Sequence, residues 1–211
     1  MINKLLLSGI LLFLFQQSLY SENLPSNSSL FKKLTSNNYL TVEFTQTTYS
    51  KEDLMFVEGV LYATRKGKFR LEYQEPLNEI YVSDGTTLLK YDSILEQLIF
   101  LSLKDSISQT VIGLITLDLD SLDKFFKIIS CKEIKIQISC KLKPIANDSL
   151  IKTVEIFMDE DTLKSINFKD YFNQQIILNF KRVQHDYISD NIFMFEPPLG
   201  TDVIKLNKVL Q

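Results

Sequence analysis

Few side chains in this sequence are equipped for chemistry: one histidine, His185, two cysteines, Cys131 and Cys140, and an aspartate trio, Asp118, Asp120 and Asp123. His185 stands between Gln184 and Asp186 at the end of a strand-like run, a setting expected to leave it in solvent. No G-x-S-x-G elbow accompanies it, so a serine nucleophile has no recognisable frame. One histidine and two remote cysteines make no zinc set. The aspartates resemble a calcium loop only in part, because its glycine and terminal glutamate are missing, and helix capping accounts for them better. No G-x-x-x-x-G-K-[ST] phosphate loop occurs either. The sequence is therefore expected to encode no enzyme and to need no metal or cofactor. What is left is a single cation, Arg65, whose guanidinium carries five hydrogen-bond donors and which is either a polar latch or a solvated turn charge.

Arg65 opens the run Arg65-Lys66-Gly67-Lys68-Phe69-Arg70-Leu71-Glu72-Tyr73. Period-two alternation sets Phe69, Leu71 and Tyr73 on one face of a strand and Lys68, Arg70 and Glu72 on the other. A cation at the rim of an aromatic surface suits a protein that holds something apolar and latches it.

Strand-like segments surround this run. Residues 39–50 are rich in Thr, Tyr, Val and Phe, and residues 54–64 alternate; 79–83 and 86–92 flank Asp84-Gly85, a strong hairpin signal. Residues 98–103, 128–142, 150–158, 162–168 and 174–183 continue the pattern, with Asp159-Glu160-Asp161 as an acidic turn. Leu30, Phe31 and Leu34 mark one short amphipathic helix. Between Asp105 and Lys127 the texture becomes helical: Val111, Ile112, Leu114 and Ile115 fall at helical spacing, and a second short helix follows, with Asp120 or Ser121 as its cap. Two helices inserted into a continuous sheet can cover one of its faces; packing at the edge of a β-sandwich is the other reading. The predicted class is mainly β with some α.

The N-terminus reads as a secretory signal peptide over residues 1–21: Lys4, then an apolar run from Leu5 to Phe15, then small residues near Ser18 and Ser21. Residues 22–211 are expected to form a single exported domain. The net charge of −3 argues against nucleic-acid binding, which needs a dense basic face. Cys131 and Cys140 lie nine apart. An oxidising compartment permits a disulfide, and a hairpin turning near Lys135 would set them face to face. Two small buried hydrophobes in neighbouring strands are the alternative.

The ordered set of short signals resembles one family. Val42-Glu43-Phe44-Thr45-Gln46 is similar to its F-x-Q strand, Gly59-Val60-Leu61 follows, and Arg65–Tyr73 resembles its R-x-x-x-F-R-W-x-Y run. Next come Val82-Ser83-Asp84-Gly85, then Tyr91-Asp92-Ser93-Ile94-Leu95-Glu96-Gln97, similar to Y-D-x-x-L-x-Q. Residues 193–203 resemble its terminal F-x-F-x-x-P-x-G-x-D-V. The family is LolA, the periplasmic carriers of outer-membrane lipoproteins in Gram-negative bacteria. This chain departs from it at Lys66, where a proline is common, at Leu71, where Trp is usual, and at Ser106–Thr110, which lacks a proline before the first inserted helix.

The resemblance implies an unclosed antiparallel β half-barrel whose concave face is covered by short helices. Acylated lipoproteins would be the cargo, an inner-membrane lipoprotein-releasing ABC transporter the source and an outer-membrane lipoprotein receptor the acceptor, with the carrier a periplasmic monomer. The expected lining is Phe44, Leu61, Ala63, Phe69, Leu71, Tyr73, Leu89 and Tyr91, and the lid contributes Val111, Ile112, Leu114 and Ile115. Arg65 matches the family arginine that holds the empty carrier shut, and Phe69 the position that meets the loading complex. Two alternatives stand beside this reading: a shuttle or sensor of the same fold for free lipid or glycolipid, and an interaction module offering exposed strands.

Overall fold

The computed structural model describes residues 27–65, 67–102, 111–147 and 149–205. The leader at 1–21, Lys66 and Ser106–Thr110 lie outside them. Helix α1 (Asn27–Leu34) precedes five strands: β1 (Tyr39–Tyr49), β2 (Leu54–Thr64), β3 (Lys68–Tyr73), β4 (Glu79–Asp84) and β5 (Thr87–Asp92). After β6 (Gln97–Ser102) come helices α2 (Val111–Thr116) and α3 (Leu119–Phe125). The chain then forms β7 (Phe126–Ile134), β8 (Gln137–Pro144), β9 (Ile151–Asp159), β10 (Thr162–Asp170) and β11 (Gln175–Gln184). A 3₁₀ turn, Asp190–Phe193, and β12 (Asp202–Lys205) follow.

Among the described residues twelve strands join one sheet in the order β12-β6-β5-β4-β3-β2-β1-β11-β10-β9-β8-β7. Neighbours are antiparallel except β12, which adds parallel to β6. Its two edges, β12 and β7, do not meet, so the barrel is unclosed as expected. Short hairpins need special backbone at their tips: Gly85 (φ 94°) turns β4 into β5, Lys135 (φ 59°) turns β7 into β8, and Glu160 (φ 54°) turns β9 into β10.

One face of the sheet carries the core. Leu40, Val42 and Phe44 of β1, Leu61 and Ala63 of β2, and Phe69 and Leu71 of β3 project from it in alternation. Leu142, Val154, Ile156 and Ile166 continue it across the far strands. Leu30, Phe31 and Leu34 of α1, Val111, Leu114 and Ile115 of α2, and Leu122 of α3 bury against the same cluster. The helices thus cover the concave face, with α1 packed on α3. The cap of α3 is Asp118, whose carboxylate accepts from the Ser121 amide at 2.9 Å, and not Asp120 or Ser121 as expected. Among the described residues no helix is long and apolar enough to cross a membrane.

Candidate functional site

Arg65 follows β2 directly, at the start of the turn into β3, and this rim faces the end of α2. Its Nε donates to the Asn37 carbonyl at 2.9 Å, and its Nη1 donates to the Ile115 carbonyl. Ile115 lies in the last turn of α2, where carbonyls lack intrahelical partners and the helix dipole is negative. One side chain therefore ties the sheet to the segment after α1 and to α2. Burial lowers the guanidinium pKa to about 10, which leaves it charged at neutral pH.

Beside Arg65 lies a narrow, nearly closed cleft with a free volume of about 30 Å³. Leu34, Leu40, Leu114, Ile115, Ile156, Met158, Leu163, Ile166 and Val183 supply its apolar wall. At its mouth Lys33 of α1 pairs with Asp161 of the β9–β10 turn at 2.7 Å. His185 also borders the mouth, its Nδ1 2.9 Å from the Tyr39 carbonyl oxygen. Among the described residues no group of three His, Cys, Asp or Glu side chains could hold a metal.

The expected lining residues divide between the two sheet faces. Phe44, Leu61, Ala63, Phe69 and Leu71 are buried in the concave cluster, and Tyr73 packs against it. Tyr73 donates to Gln46 Oε1 at 3.0 Å and its ring stands edge-on to Phe44, with centroids 5.7 Å apart. Burial raises its pKa to about 12, with the Glu79 charge adding to the shift. Tyr81, further along this face, donates to Glu79 at 2.8 Å, and Lys90 pairs with Glu79 at 2.6 Å. The apolar surface therefore gives way to a polar group at that end.

Leu89 and Tyr91 require a correction. In β5 it is Leu88 that joins the concave cluster, so period-two alternation sends Leu89 and Tyr91 to the convex face. There Tyr91 lies 5.2 Å from Phe195 between ring centroids, and the Arg70 guanidinium stands 5.8 Å from the same ring. The C-terminal segment supplies this second apolar cover.

Val111, Leu114 and Ile115 are buried beneath α2, with Ile112 partly buried. Cys131 and Cys140 face each other across the β7–β8 ladder, with Cα atoms 4.1 Å apart, and form a disulfide. The sequence reading misses the far wall of the cleft, Ile156, Met158, Leu163 and Ile166, and the Lys33–Asp161 pair. Alternation in residues 151–159 signals inward side chains, but the contact of that wall with α2 depends on the β1–β11 pairing.

The sequence profile described as Outer membrane lipoprotein carrier protein LolA matches residues 35–196. An outer-membrane lipoprotein carrier protein of Hahella chejuensis is 34% identical over 169 residues, covering 78% of this chain and 81% of its own. The protein of the same description from Pasteurella multocida is 29% identical, covering 95% and 96% of the two chains. Among solved structures, an uncharacterized conserved protein of Thermus thermophilus superposes with a TM-score of 0.53 at 11% identity, over 85% of this chain and 96% of that one. A LolA superfamily protein of Nitrosomonas europaea gives a TM-score of 0.50 at 12% identity, over 80% and 97%. These two share the fold. The family is one of carriers and not of enzymes. By the profile match and the Hahella relative, this chain belongs to the LolA family.

Proposed function

We propose that this chain is a periplasmic carrier that takes the acyl chains of lipoproteins into the space beneath α1, α2 and α3. It would collect them from an inner-membrane release complex, an ABC transporter, and pass them to an outer-membrane receptor. The observation that carries this reading is the Arg65 bridge to Asn37 and Ile115 at the mouth of an apolar cleft. The relatives' descriptions as outer-membrane lipoprotein carrier proteins supply the cargo class.

The mechanism is a balance of burials. Each methylene withdrawn from water contributes about 0.8 kcal/mol, so a ~16-carbon chain represents on the order of 12 kcal/mol gross. Such cargo does not cross an aqueous gap unaided. An empty hollow left open would expose a large apolar patch, so the unloaded carrier closes. Arg65 then acts as the latch, because each hydrogen bond from a charged donor contributes about 1.5–3 kcal/mol. Cargo must overcome that closure, which weakens its apparent affinity and lets a tighter acceptor remove it without ATP.

Native mass spectrometry of the exported protein tests the assignment. An adduct of mass equal to an acylated polypeptide supports the carrier. A free lipid or glycolipid adduct favours a lipid shuttle of the same fold, and an unliganded protein under all loading conditions removes both.

A further inference from the structure

The β7–β8 hairpin lies apart from the cleft and has no part in the latch. Residues 126–144 hold Lys127, Lys132, Lys135, Lys141 and Lys143 against a single carboxylate, Glu133, in a chain whose net charge is −3. All five lysines are exposed. Lys141 and Lys143 alternate with buried Cys140, Leu142 and Pro144, so they point away from the core. Lys127 stands directly opposite Lys143 in the ladder. Like charges opposed across two strands destabilise the pair, so folding gives no reason for this placement. The neighbouring carboxylates are Glu155, which approaches Lys141 to 3.9 Å, and the β9–β10 turn beside the tip, where Asp159 stands opposite Gln137, Glu160 is exposed and Asp161 is already paired with Lys33.

The tip is apolar as well as basic. Ile134 is 69% exposed and Ile136 54%, flanking Lys135. β7 is an edge strand, and lysines on an edge discourage pairing with other chains. That role explains the cations, but bare isoleucines at the tip work against it. Cationic strands around an exposed apolar tip fit a surface that is anionic outside and apolar just beneath. The tip is a turn and not a cavity, held beside the β9–β10 turn by the Glu160 amide on the Ile136 carbonyl, and it offers no pocket for a defined side chain, which suits a fluid surface that yields to it. The rest of the molecule is acidic, so such a surface would repel it and select this edge.

We propose that the β7–β8 hairpin docks the protein on an anionic lipid bilayer, with its lysines among the headgroup phosphates and Ile134 and Ile136 in the headgroup boundary. The Cys131–Cys140 bond joins the two strands behind the tip and keeps the hairpin's shape on contact.

Co-sedimentation with vesicles tests this, using phosphatidylglycerol–phosphatidylethanolamine against phosphatidylcholine alone. The vesicles hold no lipoprotein, so the result is independent of carriage. Binding to the anionic vesicles only is expected, with loss at 0.5 M salt. The variant Lys127→Gln/Lys132→Gln/Lys141→Gln/Lys143→Gln should bind at least about tenfold more weakly. Ile134→Ser/Ile136→Ser should weaken binding while keeping its salt dependence. The lysine variant should unfold at an equal or higher urea concentration, because the Lys127–Lys143 repulsion is gone. Equal affinity for both vesicle types, or undiminished binding by the lysine variant, would overturn the proposal. Affinity for an acidic protein with none for anionic vesicles would do the same.

Discussion

The guanidinium of Arg65 donates to the carbonyl of Ile115, joining the end of β2 to the last turn of α2 across 50 residues of sequence. A second bond to Asn37 makes the same side chain a three-way junction of sheet, α1 segment and α2. In the proposed carrier, opening of the lid would break this junction, and its loss has a signed consequence. Arg65→Leu should bind an acylated peptide about tenfold or more tightly, since closure is weakened, and should release it poorly to an acceptor. Arg65→Lys should lie between the two, because an ammonium cannot span both carbonyls in a planar fork. Transfer by Arg65→Leu at the wild-type rate would remove the latch assignment.

Gly59 and Phe44 are paired across β1 and β2 without room for another carbon. A Cβ at Gly59 would lie 2.5 Å from Phe44 Cζ and 2.7 Å from the Glu72 carbonyl oxygen. The ring can shift but the backbone oxygen cannot easily. Gly59→Ala should cost about 1–3 kcal/mol in urea unfolding, as overpacking does. A neutral result would show that the strands separate locally at no cost.

The Cys131–Cys140 bond closes a short loop at the sheet edge. Chain-entropy arguments give about 2–3 kcal/mol for a loop of this length. Cys131→Ser/Cys140→Ser should lower the unfolding midpoint accordingly, and reductant should do the same to the wild type alone.

Tyr73 makes stability depend on alkaline pH. Its folded pKa, about 12, lies above the ordinary value of 10.0, so the native state retains a proton that the unfolded chain loses. The contribution is whole below pH 10 and falls as pH rises from 10 through 12, by on the order of 2 kcal/mol. Tyr73→Phe should flatten that part of the stability–pH curve. An unchanged slope would place the titration elsewhere.

Much of the sheet was legible because alternation in residues 68–73 or 151–159 is a local property of the chain. Residues 87–92 are different. Leu88 and Leu89 are adjacent and equally apolar, and both sheet faces are covered here, one by the core and one by Phe195. Parity alone could not choose between them, and the concave side falls to Leu88. Arg65 was legible as a cation at a rim, but its partners lie 28 and 50 residues away. The far wall of the cleft and the Lys33–Asp161 bridge depend on long-range pairing in the same way.

The chain contains no tryptophan, which allows a direct test of whether acyl chains enter beneath the helices. Leu71, buried on the concave face, stands where the resemblance shows Trp, so Leu71→Trp places a single fluorophore there. Leu89→Trp places one on the convex face as a control. A lipopeptide with brominated acyl chains should quench the Trp at 71 to a one-to-one endpoint and leave the Trp at 89 unaffected. Saturating lipopeptide that leaves the Trp at 71 unquenched, or quenches both sites alike, would contradict the account.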